Sequence, residues 1–333
     1  MKLTLPSSTS RFTQLVALLA FAVNGCSGGV DPGEPTPDNP ENPSGAIPKA
    51  ITPEACLRKA ALDLTERGPS EQDINDVKSG AKSLGDVVEA YLATPEFSQV
   101  AFQWFLQTFE PTVLQPATAD KEEPARIAQY IVTKDLDFRE LVTGDYTVGA
   151  DGVKKTAGPG AAGVLSTQAY LSAYTGLENR NWAGRLLRVL TGTVLVPVSS
   201  VPEGVDSSKT GLASNPACAG CHANPIYGVD FAASFHDCYD NKGLPISGCV
   251  RQTDSTFLGQ TGRTLADLGK ILAGSVEWRS AMIQSFYANL GGRPMAKNET
   301  SQYFDYEDAW VAADYKPKAL IKQIVTSSQY CSR

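Results

Sequence analysis

Residues 218–222 read Cys-Ala-Gly-Cys-His, and any fold of this chain has to accommodate what that order of side chains can do. Two thiols separated by two residues reach the same side of one turn, and an imidazole follows the second directly. This spacing suits covalent attachment of a c-type haem. The thiols add across the two vinyl groups at one edge of the macrocycle, and the adjacent His lies under the iron as its proximal ligand. Cys218, Cys221 and His222 are therefore the expected attachment residues for one haem c. Three other readings compete. A redox-active Cys-x-x-Cys usually sits in a thioredoxin-like βαβ context, which the flanking sequence lacks. A zinc site needs four ligands, and the chain has two histidines and no second Cys-x-x-Cys. A plain structural disulfide is the third.

The N-terminus bears on the choice, because haem attachment of this kind occurs outside the cytoplasm. Lys2 and Arg11 precede an apolar stretch, Phe12 to Val23, too short to span a bilayer and suited to the core of a signal peptide. It ends in Val23-Asn24-Gly25-Cys26, which resembles a bacterial lipoprotein cleavage site with Cys26 as the lipidated residue. Asn24 departs from the small or apolar residue usual there, so cleavage to a soluble periplasmic protein is the alternative. Ser27, rather than Asp, resembles the signal for delivery to the outer membrane. Residues 27–48 hold six prolines, four acids and almost no apolar side chain, so nothing there offsets the entropy of ordering. The expected organisation is a signal peptide over 1–25, a lipid-anchored disordered linker over 26–50, and one folded domain over 51–333 with its haem segment at 212–250. Lys2 and Arg11 are the only charges in the first 25 residues, so the chain without them is two units more negative than its formal −7. An acidic chain with no basic run is a poor partner for nucleic acid or an anionic lipid surface.

Seven cysteines are an odd number for an exported chain. Lipid on Cys26 and thioethers on Cys218 and Cys221 would leave four. Cys56 opens the folded region and Cys331 nearly closes it, while Cys238 and Cys249 are neighbours. Disulfides Cys56–Cys331 and Cys238–Cys249 are expected, the alternative being one or more buried thiols.

From Ile51 onward the hydrophobic pattern is mainly helical. Residues 84, 87, 88, 91 and 92 form one face behind Ser83, a fair N-cap. Pro95 opens a helix with Phe97, Val100, Ala101, Trp104 and Phe105 on one side. Further helices are expected over 123–133, 137–143, Trp182 to Leu190, from Thr264 through Leu272, through Met282 to Leu290 before Gly291-Gly292, and over 317–328. Glu122-Glu123 reads as a solvated helix start. Loops rich in Gly and Pro fill 149–163 and 197–217, and Thr193 to Val196 is the best strand signal. The expected class is mostly α, a cytochrome-c-like helical haem-binding domain with long loops.

The far side of the iron is less determined. His236 is the other histidine; Met282 and Met295 are the methionines beyond the initiator. Met282 lies on the apolar face of a helix and reads as core. His236 comes first and Met295 second as the possible distal ligand, and the alternative for His236 is a structural, partly buried polar residue.

Matches to one family run in order along nearly all of residues 55–331. They comprise Ala61 to Thr65 with Pro69-Ser70, Ala93 to Phe97 with Trp104, Asp137 to Leu141 with Asp145 to Thr147, Gly163 to Leu165, Arg185 to Leu187, Tyr287 to Pro294 and Ile324 to Ser327. After the Cys-x-x-Cys-His, Asn224-Pro225, Gly228 and Phe235 to Asp237 match more loosely. In these segments the chain resembles the planctomycete-type cytochrome c proteins, a multi-part family largely of unknown function that is also seen in myxobacteria. The resemblance implies a monohaem cytochrome-like fold and no particular substrate. The expected function is electron transfer at the cell envelope, with an unknown redox partner protein. A haem enzyme using peroxide or oxygen is the alternative, with His236 and Arg251 as distal candidates. A surface lipoprotein with a structural haem is the third. No phosphate loop, serine elbow or metalloprotease helix suggests other chemistry.

Overall fold

The first four helices show how local sequence starts each element. In the computed structural model, which describes residues 52–109, 118–158, 160–172, 179–195, 203–206, 211–223, 227–296 and 299–332, α1 (Pro53–Thr65) opens at Thr52, whose hydroxyl accepts from the Ala55 N–H. Helices α2 (Glu71–Ser79) and α3 (Leu84–Tyr91) each begin with a capping box, Ser70 with Asp73 and Ser83 with Asp86, so orphan N–H groups are satisfied at both ends of the motif. α4 (Pro95–Phe109) follows and lies along α5 (Glu123–Lys134). The segment expected to be signal peptide and linker, with Cys26, lies outside the described residues.

The chain continues through α6 (Glu140–Thr143), the hairpin β1 (Tyr146–Val148) and β2 (Lys154–Thr156), α7 (Gln168–Ser172) and α8 (Arg180–Thr191). Then come the short α9 (Gly211–Ser214), α10 (Ala219–His222) and α11 (Val229–Ser234), and a second hairpin, β3 (Ser255–Phe257) and β4 (Gln260–Gly262). The end is helical: α12 (Leu265–Gly274), α13 (Val276–Gly291), α14 (Thr300–Ala312), α15 (Pro317–Val325) and α16 (Ser328–Cys331). The fold is mostly α, with two antiparallel two-stranded hairpins as the sheets among the described residues.

Aromatic side chains hold the centre. Phe138 is fully buried, with ring centroids at 5.1 Å from Phe286, 5.9 Å from Phe105, 6.1 Å from Trp310 and 6.2 Å from Trp278. It thus joins α4, α13 and α14 through one side chain, at separations where aromatic pairs add to simple burial. Gly269 lets α12 come close to α6: a Cβ there would stand 2.0 Å from the Val142 carbonyl oxygen. The two ends of the domain are sutured by the Cys56–Cys331 disulfide. Beside it Tyr330 donates to Asp63 at 2.6 Å, and Lys59 reaches the same carboxylate at 2.7 Å.

Several expectations need correction. Thr193 to Leu195 form no strand, and Val196 lies outside the described residues. The β-branched run is the exit of α8: Gly192 caps the helix, the Thr193 N–H returns to the Leu187 carbonyl, and Val194 is exposed with no partner strand among the described residues. The helix expected over 137–143 begins only at Glu140. Asp137 instead accepts from the Arg139 N–H, and the Phe138 N–H is taken by the distant Tyr315 carbonyl. The helix expected over 317–328 divides, since Ser327 caps a separate final turn. The loop expected over 149–163 contains β2, paired in register Tyr146↔Thr156. Glu123 starts α5 as expected, but it is half-buried and bonded to Thr147, and burial pushes its carboxyl up.

Candidate functional site

The Cys-x-x-Cys-His run forms its own small turn of helix. The Cys218 N–H bonds to the Asn215 carbonyl, and the Cys218 carbonyl receives both the Cys221 N–H and the His222 N–H at 3.1 Å. Asn215 also takes the Ala217 N–H on its side chain at 2.9 Å, which fixes the entry. Every residue from Cys218 to Ala223 is half-buried. Neither Cys218 nor Cys221 is in a disulfide, whereas Cys56–Cys331 and Cys238–Cys249 are bonded pairs.

After the motif the chain reverses. Gly228 sits at φ 60°, a left-handed conformation that suits glycine, and opens α11. The second residue of α11, Asp230, is thereby brought back onto His222. Its Oδ1 lies 2.8 Å from His222 Nδ1 and 2.5 Å from Arg180 Nε at the start of α8. Asp230 is 5% exposed and Arg180 9%, while the His222 side chain keeps 19%. Asp230 Oδ2 is buried without a hydrogen-bond partner. Burial works to raise the Asp230 carboxyl, but the hydrogen bonds and charges of His222 and Arg180 outweigh it and hold it below the ordinary carboxylate range. An ionised carboxylate only accepts, so His222 Nδ1 carries a proton toward Asp230, and Nε2 is the ring nitrogen left to bind a metal.

The other sequence candidates lie elsewhere. His236 is completely buried at the end of α11, with Nε2 2.7 Å from the Leu171 carbonyl oxygen and its ring 5.1 Å from Trp182 and 5.9 Å from Tyr239. Arg251 spans the hairpin region: its guanidinium donates to the Arg263 carbonyl and to Ser234 Oγ, both at 3.1 Å, and covers the Phe235 ring. Met282 is core. Met295 is partly buried against the core, in a loop after α13 tied down by Glu299, which takes Arg293 and the Ala296 N–H. Among the described residues no three His, Cys, Asp or Glu side chains come together as ready-made metal-ion ligands.

Sequence reasoning missed Arg180 and Asp230. An acid in the first turn of the helix after the motif was a weak signal for Asp230. Nothing local pointed to Arg180, fifty positions before its partner. No family model, no curated protein and no solved structure matched the chain.

Proposed function

We propose that this protein is an exported monohaem c-type cytochrome-like lipoprotein that carries electrons at the cell envelope. The observation that carries the reading is the combination at residues 218–230. Two cysteines outside any disulfide stand one turn apart, next to a His whose Nδ1 is held by Asp230, so the nitrogen left for a metal is Nε2. The other four cysteines of the domain are paired, which leaves these two for other chemistry. The donor set fits haem c: Cys218 and Cys221 would hold the macrocycle as thioethers and His222 would ligate the iron. The haem supplies a one-electron couple; the chain supplies the attachment and the ligand orientation. Cys26 would carry the lipid, with outer-membrane delivery signalled by Ser27. Among the described residues no helix is long and apolar enough to cross a membrane. The ordered resemblance to planctomycete-type cytochromes supports the same reading.

The test is co-expression of the full chain with a cytochrome c maturation system, followed by an absorption spectrum and the mass of the haem peptide. Covalent haem that is lost in Cys218→Ala/Cys221→Ala supports the reading; wild-type protein without covalent haem overturns it. A second reading, a peroxide- or oxygen-dependent haem enzyme, is favoured by one observation: His236 Nε2 is engaged by a backbone carbonyl, which argues for a distal side without that histidine. A high-spin ferric form that binds cyanide rapidly would select it. A six-coordinate low-spin spectrum in both oxidation states would select electron transfer.

A further inference from the structure

An electron carrier and a haem enzyme both need a proximal ligand of defined basicity, and the geometry around His222 bears on how that is set. We infer that Asp230, clamped by Arg180, is a positioning residue that fixes the His222 tautomer and tunes the iron toward the ferric state.

Asp230 Oδ1 is shared between His222 Nδ1 at 2.8 Å and Arg180 Nε at 2.5 Å. The three side chains come from three elements, α8, α10 and α11, and α11 packs on both of the others. Asp230 and Arg180 are each more than nine-tenths buried, so their attraction is little screened by solvent, and neither can swing away without leaving a buried charge. Two consequences follow for His222. Its ring is oriented and a proton is kept on Nδ1, which leaves Nε2 as the nitrogen that can donate to a metal. A carboxylate partner also draws that proton more strongly than a carbonyl would and makes Nε2 a stronger donor, as partners behind metal-bound histidines do. A stronger donor favours Fe(III) over Fe(II). Arg180 opposes this by drawing on the same oxygen, so the pair sets an intermediate value.

This inference rests on the haem reading, and the experiment separates the two. The chain has only two histidines, so specific 15N labelling of the full-length protein gives two imidazoles with two ring-nitrogen signals each. In the haem-free chain, wild-type His222 is expected to show a protonated Nδ1 and a bare Nε2. In Arg180→Met/Asp230→Asn, which removes both buried charges together, His222 is expected to lose that preference. Asp230→Glu should restore it in part. In haem-loaded protein the midpoint potential of the double variant should rise by about 59 mV, the equivalent of a tenfold loss of ferric preference. Because the double variant leaves the local net charge unchanged, that rise reports the loss of the carboxylate as the partner of Nδ1. A wild-type His222 with its proton on Nε2, or a double variant with wild-type potential, overturns the assignment. Failure of the wild type to take haem overturns the proposed function, and the tautomer measurement still decides the role of Asp230.

Discussion

The aromatic centre around Phe138 and the short helix carrying Cys218, Cys221 and His222 are held by different forces. Around Phe138, four aromatic rings from three helices are buried almost completely. In α10 no residue is fully buried, and the turn is joined to the scaffold through a polar chain from His222 to Asp230 to Arg180. Apolar burial is strong and non-directional, whereas a charge-assisted hydrogen bond is directional. The molecule thus uses burial where it needs stability and hydrogen bonding where it needs one side chain aimed. Segments with little buried apolar area also open at low free-energy cost.

The largest expected effect lies in the centre. Phe138→Ala should cost about 3–5 kcal/mol, read as a lowered denaturation midpoint. Below that transition, alkylation of Cys218 and Cys221 in the haem-free protein should proceed at the wild-type rate. A parallel rise in thiol reactivity would mean the two regions are one cooperative unit. Next comes the suture of the chain ends: Cys56→Ser/Cys331→Ser should cost about 2–5 kcal/mol, again with unchanged alkylation at 218 and 221. His236 is buried outside both regions, against Trp182 and Tyr239. Its replacement by Phe keeps an aromatic body against Trp182 but strands the Leu171 carbonyl, for about 1–3 kcal/mol. The haem spectrum of His236→Phe should match wild type; loss of a six-coordinate spectrum would make His236 the distal ligand after all.

The smallest effect concerns α12, where Thr264→Ala should cost about 1 kcal/mol through loss of the N-cap. In the same capping box Asp267 is held below the ordinary carboxylate range, chiefly by the Arg263 N–H, which it accepts at 3.0 Å, and by the Thr264 N–H and hydroxyl. A depressed carboxyl stabilises the fold above its unfolded value near pH 4, and that share is lost as pH falls through the lower folded value. The stability difference between wild type and Asp267→Asn should therefore be present at neutral pH and shrink in strong acid. A difference independent of pH would show that the carboxylate charge contributes nothing.

Local signals made much of the scaffold legible. Ser83, Pro95 and Thr264 mark helix starts because caps act within one turn, and the helical spacing of Leu265, Leu268, Ile271 and Leu272 follows from which face is buried. α14 was harder, since only Tyr306 and Trp310 of its thirteen residues are buried and the apolar stripe is thin. Thr193 to Leu195 misled because β-branched residues favour extended backbone, which a helix exit also supplies. The periodicity of the sequence implies a mostly helical domain, and adjacency along the chain is enough to put the two thiols of Cys218 and Cys221 and the imidazole of His222 on one turn. What stands behind that imidazole depends on how distant segments pack. Arg180 and Asp230 meet across fifty positions through the packing of α8 on α11, and no spacing rule encodes a contact that depends on how two helices are laid together.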